Sequence, residues 1–508
     1  MSAPMTGHRW AAGLAIGVAA LVVIVPFFAA TTFIGDDHLF LAFARHAPHP
    51  FAAFLTDRHG GEYYRPLPMM IWWLLGRLGG GAAPFALLGL VLHAATALLV
   101  AQLLRALGRP PVVAWTAAAL MAWAPENLEA ALWFAANTDL LATTFALGSL
   151  VLLLRGRPWW SAWSALAAFL SKESAYVLPA LAVVVAWSRP SAEAVEAPRA
   201  RPRWLVEVAP QVALLALVVL VRRSVLHGWG GGGDPRPGPF GAALQIAGGL
   251  AQLFTGTEVM PVPLAFAVGA AVLALSALSL VRRGRGPARF APLAFILVAV
   301  APLAAAGWVV GARYFYLPAV GLCWAAAEAL ADLGAAARIT LAALLLLVGA
   351  AQAVQRRGDV LSYEKRLAAT RRAVAEGLRA GHHLFHVDGG LKDVDLAVKE
   401  LPALEAGQVL VLGDVPASFA IIPPTLSAAA AWVAAPPLPP SGGYDFGDVR
   451  VVALARRGDE PDLEEVLAKF PDLRLIRLRT IRGGRVIARD LTDEMKVRLD
   501  AAGSAGQD

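Results

Sequence analysis

The sequence predicts an all-α, multi-span membrane domain followed by a soluble α/β domain, and three observations predict it. Apolar residues make up 58% of the 508-residue chain against 16% charged, too little polar surface for a soluble globule. The apolar residues fall in long runs separated by short Arg-rich connectors, the pattern of helices crossing a bilayer. Near residue 355 charge density rises and Pro and Gly begin to mark turns, dividing the chain into 1–355 and 356–508.

The first apolar run, 10–34, is long enough for a tilted helix through a roughly 30 Å hydrocarbon core and too long for a signal-peptide core, so it reads as a retained anchor. Residues 35–83 form a loop whose stretches 39–54 and 66–78 are short for spanning and read as helices lying in the membrane interface. Pro66 and Pro68 suit a first helical turn, where their missing N–H groups cost no bond. Spans follow at 84–106, 111–125, 137–154, 158–170, 174–188, 205–226, 260–281, 290–310, 314–332 and 338–355, for a total of about eleven.

With the N-terminus inside, the connectors holding Arg105/Arg109, Arg155/Arg157, Arg189/Arg199/Arg201/Arg203 and Arg282/Arg283/Arg285/Arg289 all fall on the cytoplasmic side. A threading in which 66–78 spans reverses them all and fails on charge. The chosen threading sends the polar residues of the other connectors outward, and an odd span count places 356–508 outside as well. In that domain 409–412, 449–454 and 473–478 read as strands, with no P-loop, zinc spacing, nucleotide fingerprint or 34-residue repeat. The net charge of +7 sits in topological connectors rather than on a binding face, which argues against nucleic acid as a partner. Cys323 is the single cysteine, so disulfides and thiolate metal sites within the chain are excluded.

Four clusters on the outer side carry candidate chemistry. Gly35-Asp36-Asp37-His38 ends the first span with two adjacent carboxylates, which cannot both ionise freely; one becomes a proton acceptor near working pH, unless the segment is only a solvated helix end. Glu62-Tyr63-Tyr64-Arg65-Pro66-Leu67 sets a planar cation beside phenols, fit for phosphate or for an interfacial aromatic belt. In the segment from Pro125-Glu126 to Asn137-Thr138-Asp139, Asn137 and Asp139 either bond sugar hydroxyls or cap the helix that starts there. Ser171-Lys172-Glu173 puts a lysine where outer loops carry few, held by a phosphate, by its neighbour Glu173, or by snorkelling. Arg222/Arg223 and Arg313-Tyr314 break the charge rule on the same side, and together these cations read as a pooled site for a lipid phosphate.

Over residues 10–330 the chain resembles the C-type (GT-C) glycosyltransferases, and among them the protein O-mannosyltransferases, including those that carry tetratricopeptide repeats. The resemblance rests on an ordered set: Asp36-Asp37, Tyr64-Arg65-Pro66-Leu67, residues 125–139, Ser171-Lys172-Glu173 and Arg313 to Pro318. It implies a GT-C-like membrane domain, Asp36 or Asp37 as general base, and inversion at the anomeric carbon. The implied donor is a polyprenyl-phosphate-linked sugar, mannose by family default, and the acceptor a protein or glycan hydroxyl. Arg65, Lys172, Arg222, Arg223, Arg313 and Tyr314 are then expected on the lipid phosphate, and Tyr64, Glu126, Asn137, Asp139 and Glu173 on sugar or acceptor. No cofactor is expected, although His38 beside Asp36 and Asp37 permits a divalent metal. The implied location is the inner membrane of a bacterium, with the active face and the C-terminal domain outward. The repeats of the relatives are replaced by the α/β domain, and Gly311-Ala312 stands where they carry an acidic residue, leaving Arg313 without a local partner. A transporter or lipid flippase, a non-catalytic scaffold and a diphosphate-donor oligosaccharide ligase remain the alternatives.

Overall fold

A computed structural model describes residues 33, 37, 47–56, 63–79, 81–124, 127, 130–131, 133–188, 203–228, 246–250, 253–254, 287–306 and 312–334, scattered helical positions within 270–278 and 336–372, and five strands beyond 383. Ten α-helices make up the part before residue 332 among the described residues: α1 Ala52–Leu55, α2 Pro66–Leu78, α3 Ala83–Ala106, α4 Pro111–Trp123, α5 Asn137–Leu154, α6 Pro158–Phe169, α7 Leu178–Trp187, α8 Arg203–Val225, α9 Ala291–Ala306 and α10 Tyr316–Ala331. Proline stands at the first or second position of α2, α3, α4, α6 and α7, where its fixed φ starts a helix without losing a bond. Glycines with φ near +70°, Gly108 and Gly156, close the turns after α3 and α5 in a conformation that a side chain disfavours.

Four helical stretches are long and apolar enough to cross a membrane: Ala83–Ala106, Phe134–Leu154, Val206–Val225 and Arg313–Ala331. Pro111–Trp123, Glu173–Trp187 and Ala291–Ala304 are shorter apolar helices. These mark a membrane-embedded chain. The expected span 10–34 lies outside the described residues, and 260–281 and 338–355 are described only at scattered helical positions.

Neighbours in sequence pack antiparallel, α3 with α4 and α5 with α6, while α3 lies parallel to α5 and α6 parallel to α8, like ends together. α10 is buried at every position from Tyr316 to Glu328, as a helix apolar all round must be, and packs on α4 and α9. A Cβ at Gly321 would come within 2.7 Å of Ile296 Cγ1 and 3.0 Å of the Pro292 carbonyl oxygen, so the bare backbone there lets α9 approach α10. Two buried polar networks tie the bundle where lipid offers no hydrophobic drive. Gln211 Nε2 donates to Ser149 Oγ (3.1 Å) and Ser161 Oγ (2.7 Å), joining α8 to the α5–α6 hairpin. His93 Nε2 faces the Ala122 carbonyl at 3.1 Å, which can only accept, so Nδ1 accepts the Tyr316 hydroxyl at 2.7 Å and α3, α4 and α10 are pinned together.

The bundle has two polar ends. At one, Arg155 Nη2 donates to Gln102 Oε1 (2.8 Å), and Arg109 lies 3.4 Å from Glu328, which also accepts from Trp324 Nε1. At the other end α2, α5, α7 and α10 begin.

In the C-terminal part β1 Leu384–Asp388, β2 Leu410–Val415, β3 Ala455–Arg456, β4 Leu475–Ile481 and β5 Arg485–Asp490 form a sheet of order β3-β2-β1-β4-β5. All neighbours pair parallel except β5, which runs antiparallel to β4, with Leu384 facing Leu410 on one side and Leu475 on the other. The runs 409–412 and 473–478 overlap β2 and β4, while 449–454 lies outside the described residues.

Candidate active site

Three helices reach the site end through a short 3₁₀ turn: Phe134–Ala136 leads into α5, Glu173–Val177 into α7 and Ala312–Phe315 into α10. Each turn carries or adjoins residues singled out in the sequence. Helix starts leave backbone N–H groups unpaired and give this end a positive potential.

Asp37 is buried, and its Oδ1 accepts the backbone N–H of Ala135 at 2.7 Å. The first-loop carboxylate is thereby fixed to the turn that opens α5. Beneath it Phe33, Phe85, Trp72 and Phe134 make edge-to-face contacts, with Phe134 4.6 Å from Phe85 and 5.0 Å from Trp72. Asp36, His38, Glu62, Glu126 and Glu129 lie outside the described residues.

Asp139, one turn into α5, pairs with Lys172 at 2.5 Å, both side chains 5% exposed. The lysine therefore pairs across the bundle and not with its neighbour Glu173. Burial lowers the pKa of Lys172; Asp139 opposes that, and Arg65 and Arg313 add to the lowering. Glu173 instead takes Arg65 through Oε2, at 3.0 Å from Nε and 2.9 Å from Nη2, with Arg222 Nη2 3.9 Å from its other oxygen. Arg65 itself caps the start of α2, which the Leu67 N–H anchors to the Leu170 carbonyl at 3.2 Å.

Aromatic faces hold Arg313 and back the two paired cations. Lys172 Nζ stands 4.4 Å above the Tyr314 ring, Arg313 Cζ 4.0 Å above Trp133, and Arg65 Cζ 4.3 Å above Tyr63. Arg313 Nη2 also donates to Tyr314 Oη at 3.4 Å, so the expectation that Arg313 lacks a local partner is corrected.

Among the expected site residues, the structure brings together Asp37, Arg65, Asp139, Lys172, Glu173, Arg222, Arg313 and Tyr314. Arg223 is exposed, about 100° round α8 from Arg222. Tyr64 is buried and donates its hydroxyl to the Phe54 carbonyl at 3.1 Å, a structural bond to α1. Asn137 does not cap α5: it makes no side-chain cap bond and donates to the Phe85 carbonyl at 3.4 Å, while its Oδ1 is buried without a partner. Sequence reasoning missed Tyr176, which shares the turn of Glu173; the signal was the i, i+3 spacing that a 3₁₀ turn eclipses. Among the described residues no three of His, Cys, Asp or Glu come together as metal ligands would.

Comparison places the fold. No protein-family model matches the sequence, and no curated protein matches it. The chain is similar in structure to the oligosaccharyltransferase of Archaeoglobus fulgidus in its apo form, with TM-score 0.50 and 12% identity over 91% of this chain and 69% of that one. Against the form of that protein tethered by a disulfide to an acceptor peptide containing the NVT sequon, the TM-score is 0.43 at 13% identity. There the match covers 76% of this chain, which spans only 63% of the length of the other. The likeness is one of fold alone and does not single out the O-mannosyltransferases.

Proposed function

We propose that the chain is a membrane glycosyltransferase that moves a sugar from a polyprenyl-phosphate carrier to an acceptor hydroxyl on the outer face of the membrane. The observation that carries the reading is the placement of cations at helix starts. Arg65 and Lys172 occupy N-cap positions and Arg313 lies in the turn before α10, where the helix dipole disfavours positive charge. An anionic ligand offsets that cost, and a lipid phosphate at the membrane edge is such an anion.

In the reaction, Asp36 or Asp37 takes the proton of the acceptor hydroxyl as its oxygen attacks the anomeric carbon. The bond from that carbon to the phosphate oxygen breaks, its electron pair leaves with the polyprenyl phosphate, and configuration inverts. Arg65, Lys172, Arg222, Arg313 and Tyr314 stabilise the charge that grows on the leaving phosphate, and Arg223, exposed on another side of α8, takes no part. Mannose is the sugar and a protein or glycan the acceptor that the resemblance favours; residues 356–508 recognise that acceptor. The outward orientation rests on the arginines of the opposite end, which belong in the cytoplasm.

The test is release of polyprenyl phosphate from a panel of polyprenyl-phosphate sugars by the purified chain in lipid nanodiscs, with membrane extract as acceptor. Asp37→Asn or Asp36→Asn is expected to slow release by about 10²–10⁴-fold while lipid binding persists. Full activity in both variants would sink the assignment. A second reading, an oligosaccharide ligase using diphosphate donors, is favoured by the fold likeness to an oligosaccharyltransferase. Turnover of a polyprenyl-diphosphate oligosaccharide in the same assay, with none of the monophosphate sugars, selects it.

A further inference from the structure

Tyr176 takes no part in the mechanism above, yet it lies in the turn that carries Glu173. In the 3₁₀ turn Glu173–Val177, residues three apart eclipse, so Tyr176 shares the side of the turn that carries Glu173. Its ring meets Phe169 edge-on at 6.1 Å, and its hydroxyl is buried with no hydrogen-bond partner among the described residues, with Glu173, Arg222, Arg65 and Tyr64 as the ionisable groups that act on it. Two further buried atoms beside it also lack a hydrogen bond: Glu173 Oε1 and Arg222 Nε. Arg222 Nη2 stands 3.9 Å from that Glu173 oxygen, close enough for charge attraction and too far for a hydrogen bond.

Buried polar atoms are almost always paired, so an acceptor and two donors left over in one place describe the ligand that completes them. A phosphate oxygen only accepts; it satisfies Arg222 Nε and the tyrosine and repels Glu173. An alcohol does both. It donates to Glu173 Oε1 and accepts from Arg222 Nε or from Tyr176, whose hydroxyl can bond a second alcohol alongside.

We propose that Glu173 Oε1, Arg222 Nε and the Tyr176 hydroxyl form a subsite for adjacent hydroxyls of the transferred sugar, an inference that rests on the donor reading above. Arg222 then reads sugar, and the lipid phosphate falls to Arg65, Lys172 and Arg313. Because the Tyr176 hydroxyl has no partner among the described residues, Tyr176→Phe removes an unpaired polar group and leaves the fold at least as stable.

The experiment titrates two lipids, polyprenyl phosphate and polyprenyl-phosphate mannose, into the wild type and Tyr176→Phe in nanodiscs, following tryptophan fluorescence, with melting temperatures alongside. The expected result is a loss of about three- to tenfold in affinity for the mannosyl lipid alone, the bare lipid staying within about twofold and the melting temperature equal or higher. Equal losses for both lipids, or no loss for either, would leave the place to phosphate or to water and overturn the subsite. A melting temperature lower by several degrees would make the hydroxyl structural and overturn it too. If neither lipid binds the wild type, the donor reading itself falls, and the subsite with it.

Discussion

The two ends of the bundle both carry arginine at helix starts and helix ends, Arg157 opening α6 at the far end and Arg222 closing α8 at the site end, and they differ in burial. At the far end Arg105 lies in the last turn of α3 and Arg155 follows α5, where a cation complements the helix dipole and faces water. At the site end Arg65, Lys172 and Arg313 sit where helices begin, held against the dipole by buried acids and aromatic faces. Far-end charge is what any correctly oriented membrane helix acquires. Site-end charge is costly to place, and topology does not explain it.

Mutations break or sharpen this contrast. The largest expected effect is at the buried pair: Lys172→Met strands Asp139 without its cation and is expected to cost about 3–5 kcal/mol, measured by denaturation in detergent micelles. Lys172→Met with Asp139→Leu is expected to recover most of that stability and none of the transfer activity. If the double variant is active, the pair is scaffolding and the site end differs from the far end only in burial. A smaller change is Arg65→Lys, which keeps the charge and gives up the planar fork on Glu173; about tenfold weaker donor binding is expected, read by lipid titration. The smallest is Arg155→Ala, whose exposed bond to Gln102 contributes less than about 1 kcal/mol, with release of polyprenyl phosphate within twofold of wild type. An Arg155→Ala enzyme as impaired as Arg65→Lys would erase the distinction between the ends.

Hydropathy sufficed for the helices. The helical bounds expected at 84–106, 137–154 and 158–170 agree with α3, α5 and α6 to within a residue at each end, because an apolar run in lipid has no alternative to a helix, although α6 is too short to count as a span. Candidate site residues were legible as polar side chains in apolar surroundings, which is why Asp139, Lys172 and Arg313 stood out. Their partners were not. Asp139 and Lys172 are 33 residues apart, and Arg65 and Glu173 are 108 apart, separations that only the antiparallel packing of α5, α6 and α2 closes. The rule that a buried charge needs an opposite one could have proposed the first pair, since both residues lie in apolar surroundings at the same membrane face. Tyr64 misled in the other direction, for a tyrosine beside an arginine looks available until its hydroxyl is seen committed to the Phe54 carbonyl.

Gln211 bears on how the chain is made. Ser149 and Ser161 satisfy one another within the α5–α6 hairpin, each hydroxyl donating to the carbonyl of the other residue at 2.8–2.9 Å, so that hairpin can leave the ribosome-bound channel as a finished unit. α8 cannot. Its amide, in the middle of an apolar helix, donates to Ser149 and Ser161, so the hairpin offers a ready polar docking surface for the helix that follows some fifty residues later in the chain.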